Sequence, residues 1–192
     1  MSLALDPATT ALVFIDLQNG TLGMPLAPYD REALLERAEA LGRAFKAKGA
    51  PIALVRVAFA PDARDRPQGV TDVAMILPAG GFPAGWSDLA PSIAALEPAI
   101  TVTKRQWGAF HGTEVDLQLR RRGVTTIVLG GIATNFGVEM TAREAWQHNY
   151  SVVIAEDACT SVAPDLHRFA IEKILPRVSR IRSTDEIIAA LG

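Results

Sequence analysis

Cysteine and histidine are scarce in this chain of 192 residues, which has one cysteine, Cys159, and three histidines. A single cysteine excludes a disulfide framework within the chain and favours a reducing, cytoplasmic location. The histidines, His111, His148 and His167, are scattered along the sequence. We therefore interpret each of them as a surface or helix residue rather than as a ligand.

The sequence also lacks an excess of positive charge and any long apolar run. Its 19 basic and 21 acidic residues give a net charge of −2, whereas nucleic-acid-binding domains usually carry a basic patch. No apolar stretch approaches the roughly 20 residues that span a membrane. The amino terminus, interrupted by Asp6 and Pro7, lacks the pattern of a signal peptide. We therefore expect neither nucleic acid nor a membrane as a partner.

Short apolar runs alternate with longer amphipathic stretches, which is typical of βαβ units and predicts a parallel sheet. The predicted strands cover residues 11–16, 51–59, 99–104, 125–131 and 150–158, with a weaker, charged edge strand at 177–183. A long helix begins at Asp30, and the last helix begins with a capping box formed by Ser183 and Glu186. With 192 residues, 49% of them apolar, the chain is expected to form one domain over residues 1–192.

Residues 60–98 interrupt this alternation, because the segment is rich in proline and glycine. A loop of this length in a compact domain usually carries a function or covers something. Two interpretations stay open: a lid or subunit contact on the one hand, and a mobile insertion on the other.

Three positions are expected to meet at one edge of the sheet. Asp16 ends the first predicted strand, Lys104 ends the third, and the fourth strand leads into a helix that opens near Gly137. Doubly wound sheets bind ligands outside the carboxyl ends of their strands, where the strand order reverses. An unpaired charge at the end of a buried strand is costly. We therefore interpret Asp16 and Lys104 as a functional pair rather than as a turn residue and a surface lysine.

The segments FIDLQNG, KRQWGAFHGTEVDLQLRRRG, LGGIATNFGVEMTAREAW and VIAEDACTS follow one another between about residues 11 and 161. In this order they resemble the isochorismatase-like hydrolases, also called the cysteine hydrolase superfamily. The resemblance implies a three-layer α/β/α sandwich around a doubly wound parallel sheet of about six strands. It also implies a hydrolase that acts on a small-molecule substrate and forms a homo-oligomer.

The typical catalytic triad of that family is aspartate, lysine and cysteine, and Asp16 and Lys104 match its first two members. Gly137 stands at the position of the cysteine nucleophile, as in the true isochorismatases, which cleave a vinyl ether without a covalent intermediate. The metal-binding nicotinamidases of the family carry aspartate and histidine after the second strand. The corresponding segment here, VAFAPDARDRPQ, has no histidine, so we expect no metal and no cofactor.

The resemblance further implies a turn in which the backbone N–H groups of Ala133 and Gly137 form an anion cradle. It also implies a cis peptide bond between Ile132 and Ala133. Asn135 lies in the same turn, where it is a candidate for substrate binding or only for stabilising the backbone.

Three further residues are candidates for lining the pocket. Gln18 and Trp107 follow the two catalytic candidates in sequence, although Trp107 is equally consistent with a core position. Arg56 lies within an apolar strand and must be paired. It is either a structural partner of a nearby acid or an anchor for a substrate carboxylate.

The favoured hypothesis is hydrolysis by general acid catalysis, in which protonated Asp16 delivers a proton to an enol ether. Because Lys104 lowers the pKa of the aspartate, this mechanism requires an anionic substrate or strong desolvation. Two alternatives remain open: a non-catalytic binding protein, and an amidohydrolase with another nucleophile. Cys159 is a candidate for that nucleophile, although a small buried side chain is the preferred interpretation.

Overall fold

The computed structural model describes residues 3–75 and 77–192, and within them six parallel strands form one sheet. The predicted parallel sheet is therefore confirmed. The strands are β1 Thr10–Ile15, β2 Ile52–Val57, β3 Ile100–Lys104, β4 Thr126–Ile132, β5 Ser151–Thr160 and β6 Arg180–Arg182. The edge strand β6 is confirmed, but it is shorter than its charged sequence pattern predicts.

Helices cover both faces of the sheet. They are α1 Asn19–Leu22, α2 Arg31–Ala47, α3 Pro91–Ala94, α4 Val115–Arg121, α5 Glu139–Gln147, α6 Pro164–Phe169 and α7 Thr184–Ala190. A π-helical turn, Thr134–Val138, leads directly into α5. Buried side chains of α2, α3 and α7 pack on one face, and those of α4 and α5 pack on the other. This arrangement is the expected three-layer α/β/α sandwich.

The strand order β3-β2-β1-β4-β5-β6 places β1 and β4 side by side at the centre. The chain builds outward from β1 to β3, returns to β4, and then builds outward in the other direction. The carboxyl ends of β1 and β4 therefore flank the reversal of strand order, where ligands of such sheets bind.

The burial of β1 explains why its sequence is an almost continuous apolar run. All six of its residues are buried, because helices cover both faces and neighbouring strands lie on both sides. Asp16 lies one residue beyond β1, rather than within the strand as its sequence predicts. The predicted caps at Asp30 and at Ser183 with Glu186 are both confirmed.

The segment between β2 and α3 follows an irregular course with no strand or helix in its described part, from which Ile76 is excluded. Its final part is tied to the residues after β1, since Gly20 donates its N–H to Trp86 O at 2.9 Å and Asn19 to Asp88 O at 2.8 Å. The rings of Phe59, Phe82 and Trp86 pack in a row within it. Among the described residues, no helix is both long and apolar enough to cross a bilayer.

The close approach of β1 and β4 depends on Gly131, which has a φ of +130°. A Cβ atom there would lie 2.0 Å from the carbonyl oxygen of Ile15. We expect Gly131→Ala to reduce the free energy of unfolding by several kcal/mol. Gly123→Ala is the matched control, because Gly123 also has a positive φ but open space around it, so it should cost only about 1–2 kcal/mol.

Urea unfolding of the two variants measures the difference. Equal losses of stability would show that φ alone, and not the contact with β1, requires glycine at position 131.

Candidate active site

Asp16 turns away from β1 with an unusual backbone conformation. Its φ of +54° lies in the left-handed region, which aspartate and asparagine tolerate better than most residues. Its N–H donates to Val55 O at 2.8 Å, and the Thr21 hydroxyl donates to its carbonyl oxygen. These contacts fix a carboxyl group whose side chain is only 7% exposed.

Lys104 reaches Asp16 from the end of β3, across the end of β2. Two strand spacings separate β1 from β3, about 10 Å in total, so only a long side chain can close the gap. The Lys104 Nζ donates to Asp16 Oδ2 at 2.6 Å and to the carbonyl oxygen of Gln106 at 3.0 Å. The lysine side chain is 1% exposed, so this ion pair is buried.

The two carboxyl oxygens of Asp16 have different surroundings. Lys104 holds Oδ2, whereas Oδ1 is buried and has no hydrogen-bond partner among the described residues. Burial raises the pKa of Asp16 to about 6, although the cation of Lys104 opposes this shift. The carboxyl group therefore stays partly protonated near neutral pH and leaves one oxygen for a ligand.

The turn after β4 brings Gly137 beside this carboxyl group. The expected cis peptide bond between Ile132 and Ala133 is confirmed. A Cβ atom on Gly137 would lie 3.4 Å from Asp16 Oδ2 and 3.1 Å from Ile132 O. A side chain at position 137 would therefore begin in contact with the carboxyl group, and glycine leaves that space free.

Helix α5 fixes the loop that follows Lys104. The Thr141 hydroxyl donates to Gly137 O at 2.7 Å and accepts from the N–H of Ala109 at 3.2 Å. One turn later, Glu144 accepts from the N–H of Phe110 at 2.9 Å. The helix thereby holds both the turn at Gly137 and the loop beyond the lysine.

The structure gives two of the predicted pocket residues contacts with other parts of the protein. Gln18 is fully buried, and its amide donates to Val57 O at 2.9 Å and accepts from Val57 N at 2.8 Å. It therefore ties the end of β2 to the segment after Asp16. The Asn135 Oδ1 accepts a hydrogen bond from the Ser161 hydroxyl, which anchors the turn to the end of β5.

Trp107 is 52% exposed, with its ring centroid 4.7 Å from that of Phe136. The interpretation of Trp107 as a core residue is therefore wrong, since its ring lies at the surface beside the turn. Its contact with Phe136 connects the loop after Lys104 to the turn that carries Gly137.

The fold does not place Arg56 beside the ion pair of Asp16 and Lys104. Side chains alternate between the faces of a strand, and Val55 packs in the same core cluster as Val102, on the face toward which Lys104 projects. Arg56 therefore projects from the opposite face, where its Nε donates to the Thr103 hydroxyl at 3.2 Å. Among the described residues it forms no ion pair, so the acid partner that the sequence suggested is absent there.

One polar side chain beside the turn is buried, which the sequence does not indicate. His167 is a helix residue, as expected, but it is buried, with 4% of its surface exposed. Its Nδ1 lies 2.8 Å from the Thr134 hydroxyl, and its Nε2 lies 3.0 Å from a carboxylate oxygen of Glu156. The neighbouring apolar residues Leu166 and Phe169 are exposed instead. The pattern of apolar residues in α6 therefore does not predict that the helix turns His167 toward the interior.

Cys159 is fully buried in β5, with Sγ 3.9 Å from Leu129 O. Burial raises the pKa of its thiol well above the ordinary range, which is unfavourable for a nucleophile. Within residues 3–75 and 77–192, no three histidine, cysteine or acidic side chains are grouped as a metal site requires.

Comparison with known proteins places the chain in a family. A model of the isochorismatase domain matches residues 10–186. The chain belongs to the isochorismatase family. It is similar to the isochorismatase family protein YecD of Escherichia coli O157:H7, with 44% identity over 98% of this chain and 100% of that protein.

A solved structure of an isochorismatase family protein from Burkholderia thailandensis has a TM-score of 0.91 and 41% identity, covering 100% of this chain and 99% of that one. A more distant relative is the ureidoacrylate amidohydrolase RutB of Methylobacterium radiotolerans, which is 29% identical over 99% of this chain and 82% of its own length. The chain is therefore a hydrolase, and membership in this family argues against a protein that only binds its ligand.

The buried ion pair predicts a particular dependence of stability on pH. The folded-state pKa of Asp16 is about 6, above its ordinary 3.8, so the folded state binds this proton more tightly than the unfolded chain. The stabilisation is complete below pH 3.8 and is lost as the pH rises through about 6. Lys104→Met removes the cation that lowers this pKa. In this variant the loss of stability should therefore extend to higher pH.

Urea unfolding between about pH 4 and pH 8 measures the effect, with a slope of up to about 1.4 kcal/mol per pH unit. Combining Lys104→Met with Asp16→Asn should abolish the part of this pH dependence that comes from the Asp16 carboxyl group. If Lys104→Met alone follows the pH dependence of the unaltered protein, the cation does not control this carboxyl group.

Proposed function

We propose that the protein hydrolyses a small anionic enol ether by general acid catalysis from Asp16. One observation carries the proposal: Asp16, whose pKa burial raises to about 6, lies beside a glycine and has one buried oxygen with no hydrogen-bond partner in the described part of the chain. Efficient general acids have pKa values near the working pH. Burial raises the pKa of Asp16 in spite of Lys104, so the strong desolvation that this mechanism requires is present without a bound anion.

In the proposed reaction, protonated Asp16 transfers its proton to the terminal carbon of the enol ether. The ether oxygen stabilises the resulting oxocarbenium ion, and water adds to its carbon. The hemiketal then collapses to a keto acid, such as pyruvate, and an alcohol, while the proton released by water returns to Asp16. Lys104 holds Oδ2 throughout, so that Oδ1 remains the oxygen that carries the mobile proton.

Gly137 fits a reaction without a covalent intermediate. Since a Cβ at this position would begin 3.4 Å from Asp16 Oδ2, its absence leaves room for substrate over the carboxyl group. We therefore propose that the chain belongs to the subgroup of the family with glycine in place of the nucleophilic cysteine.

Recognition of an anionic group is proposed for the turn and its surroundings. The backbone N–H groups of Ala133 and Gly137, at the start of a long helical segment, would favour a negative charge. Trp107 and Asn135 flank the turn and remain candidates for substrate contact. Gln18 and Arg56 are weaker candidates, because the amide of Gln18 is bonded to Val57 and Arg56 projects from the other face of the sheet.

An amidohydrolase is the second candidate, because the relative RutB is a ureidoacrylate amidohydrolase. That reaction would need a nucleophile other than residue 137, and Cys159 is fully buried. A screen of enol ethers against amides, with products identified by mass spectrometry, separates the two. Release of a keto acid supports the proposal, whereas release of ammonia from an amide contradicts it.

A homo-oligomer in the cytoplasm is part of the same proposal. The exposed apolar side chains of Phe136 and Met140, one turn apart beside Trp107, support a contact with another subunit. The single, unpaired cysteine supports a reducing compartment.

Asp16→Asn tests the acid directly, because asparagine keeps the shape and tolerates the left-handed backbone. Turnover of the enol ether should fall by roughly 10²–10⁴-fold. In the unaltered protein, kcat/KM should decline as the pH rises through about 6, since only the protonated form of Asp16 donates. Steady-state kinetics across pH, with circular dichroism to verify folding, provide the measurement; turnover at the parent rate would disprove the assignment.

Cys159→Ala tests the alternative nucleophile. Since the thiol lies in the core and burial raises its pKa, the substitution should leave kcat unchanged and reduce stability only modestly. Steady-state turnover by the purified variant measures this. A hundredfold loss in a folded variant would assign the chemistry to the thiol instead.

A further inference from the structure

Four side chains form a continuous polar chain on the side of the catalytic turn away from Lys104. The Tyr29 hydroxyl donates to Glu156 at 2.9 Å, and Glu156 lies 3.0 Å from His167 Nε2. The other ring nitrogen of His167, Nδ1, lies 2.8 Å from the Thr134 hydroxyl. Thr134 is fully buried at the start of the turn, three residues before Gly137.

The contacts on both ring nitrogens fix the orientation of the imidazole of His167. The hydrogen bond from His167 lowers the pKa of Glu156, so this carboxylate is ionised and only accepts. The Nε2 of His167 must then carry the hydrogen that this carboxylate accepts. Whichever of the two groups supplies the hydrogen between them, the contact with Nδ1 ties the Thr134 hydroxyl to a ring that Glu156 holds.

A nucleophilic role for Thr134 does not fit this geometry. Its side chain is fully buried, so a substrate cannot reach the oxygen, although the hydroxyl, imidazole and carboxylate have the order of a catalytic triad. What the arrangement does provide is rigidity, since Glu156 lies in β5 and Thr134 lies in the turn after β4.

We propose that His167, held by Glu156, is a positioning residue that fixes the Thr134 hydroxyl and thereby the turn that places Gly137 over Asp16. This inference rests on the proposed function, because the turn is the proposed anion cradle. A cradle stabilises a transition state only when its donors are fixed in advance. Loosening the turn should therefore lower kcat while substrate affinity changes little.

The first experiment needs no activity. Long-range ¹H–¹⁵N NMR of the unaltered protein at neutral pH reports which imidazole nitrogen carries the hydrogen. His167 should carry a hydrogen on Nε2, which Glu156 accepts. A ring with its hydrogen on Nδ1 alone would overturn the inference, because Nε2 could then not donate to Glu156.

The second experiment uses Thr134→Val, which removes the hydroxyl at nearly constant shape, and Thr134→Ser, which restores it. With the enol ether substrate, Thr134→Val should lower kcat by about 10- to 100-fold, with KM within a few-fold and with Thr134→Ser close to the parent. His148→Gln is the control, because His148 is exposed and lies outside this chain of contacts. An unchanged kcat in Thr134→Val, or an equal loss in Thr134→Ser, would contradict the positioning role.

The two failures are distinguishable. If the unaltered protein does not turn over enol ethers, the proposed function fails. The backbone amide shifts of Ala133 and Gly137 then decide the inference by themselves. They should move in Thr134→Val and return toward the parent values in Thr134→Ser, and unmoved shifts in Thr134→Val would overturn it.

Discussion

The buried ion pair between Asp16 and Lys104 is the constraint on which the rest of the site depends. Both side chains are almost completely excluded from water, and isolated charges in such a place would be prohibitively costly. The pair therefore demands a fixed geometry: β1 must end in a left-handed turn at Asp16, and β3 must end level with Val57 of β2 so that the lysine reaches across. The core and the edge of the sheet that carries the ion pair are thus specified together.

Desolvation and the cation act on Asp16 in opposite directions, and desolvation is the larger effect. A more exposed pair would leave the carboxylate ionised, whereas a carboxyl group without the lysine would be protonated but poorly oriented. Lys104 binds one oxygen of Asp16, and no described residue binds the other, which combines a defined orientation with an available proton. The family relationship establishes a hydrolase, and this electrostatic balance is what favours acid catalysis over nucleophilic attack.

The sequence predicted the parts of the site that follow from sheet topology. The carboxyl ends of parallel strands share one edge, which predicts that Asp16, Lys104 and Gly137 lie close together, and the structure brings all three together. The contacts of His167, Thr134 and Gln18 were not predictable, since they depend on which face of a short helix or loop turns inward. For Arg56, the sequence showed a charge within a strand, but only strand alternation in the folded sheet revealed that it faces away from Lys104.

The most direct test of the account is a ¹³C NMR titration of the carboxyl carbons in the intact protein, with Asp16→Asn used to assign the resonance. The account predicts that Asp16 titrates at about 6, and that its pKa rises when Lys104 is replaced by methionine. A titration at or below the ordinary value of 3.8 would contradict it, because the carboxyl group would then be ionised at neutral pH and could not act as the acid.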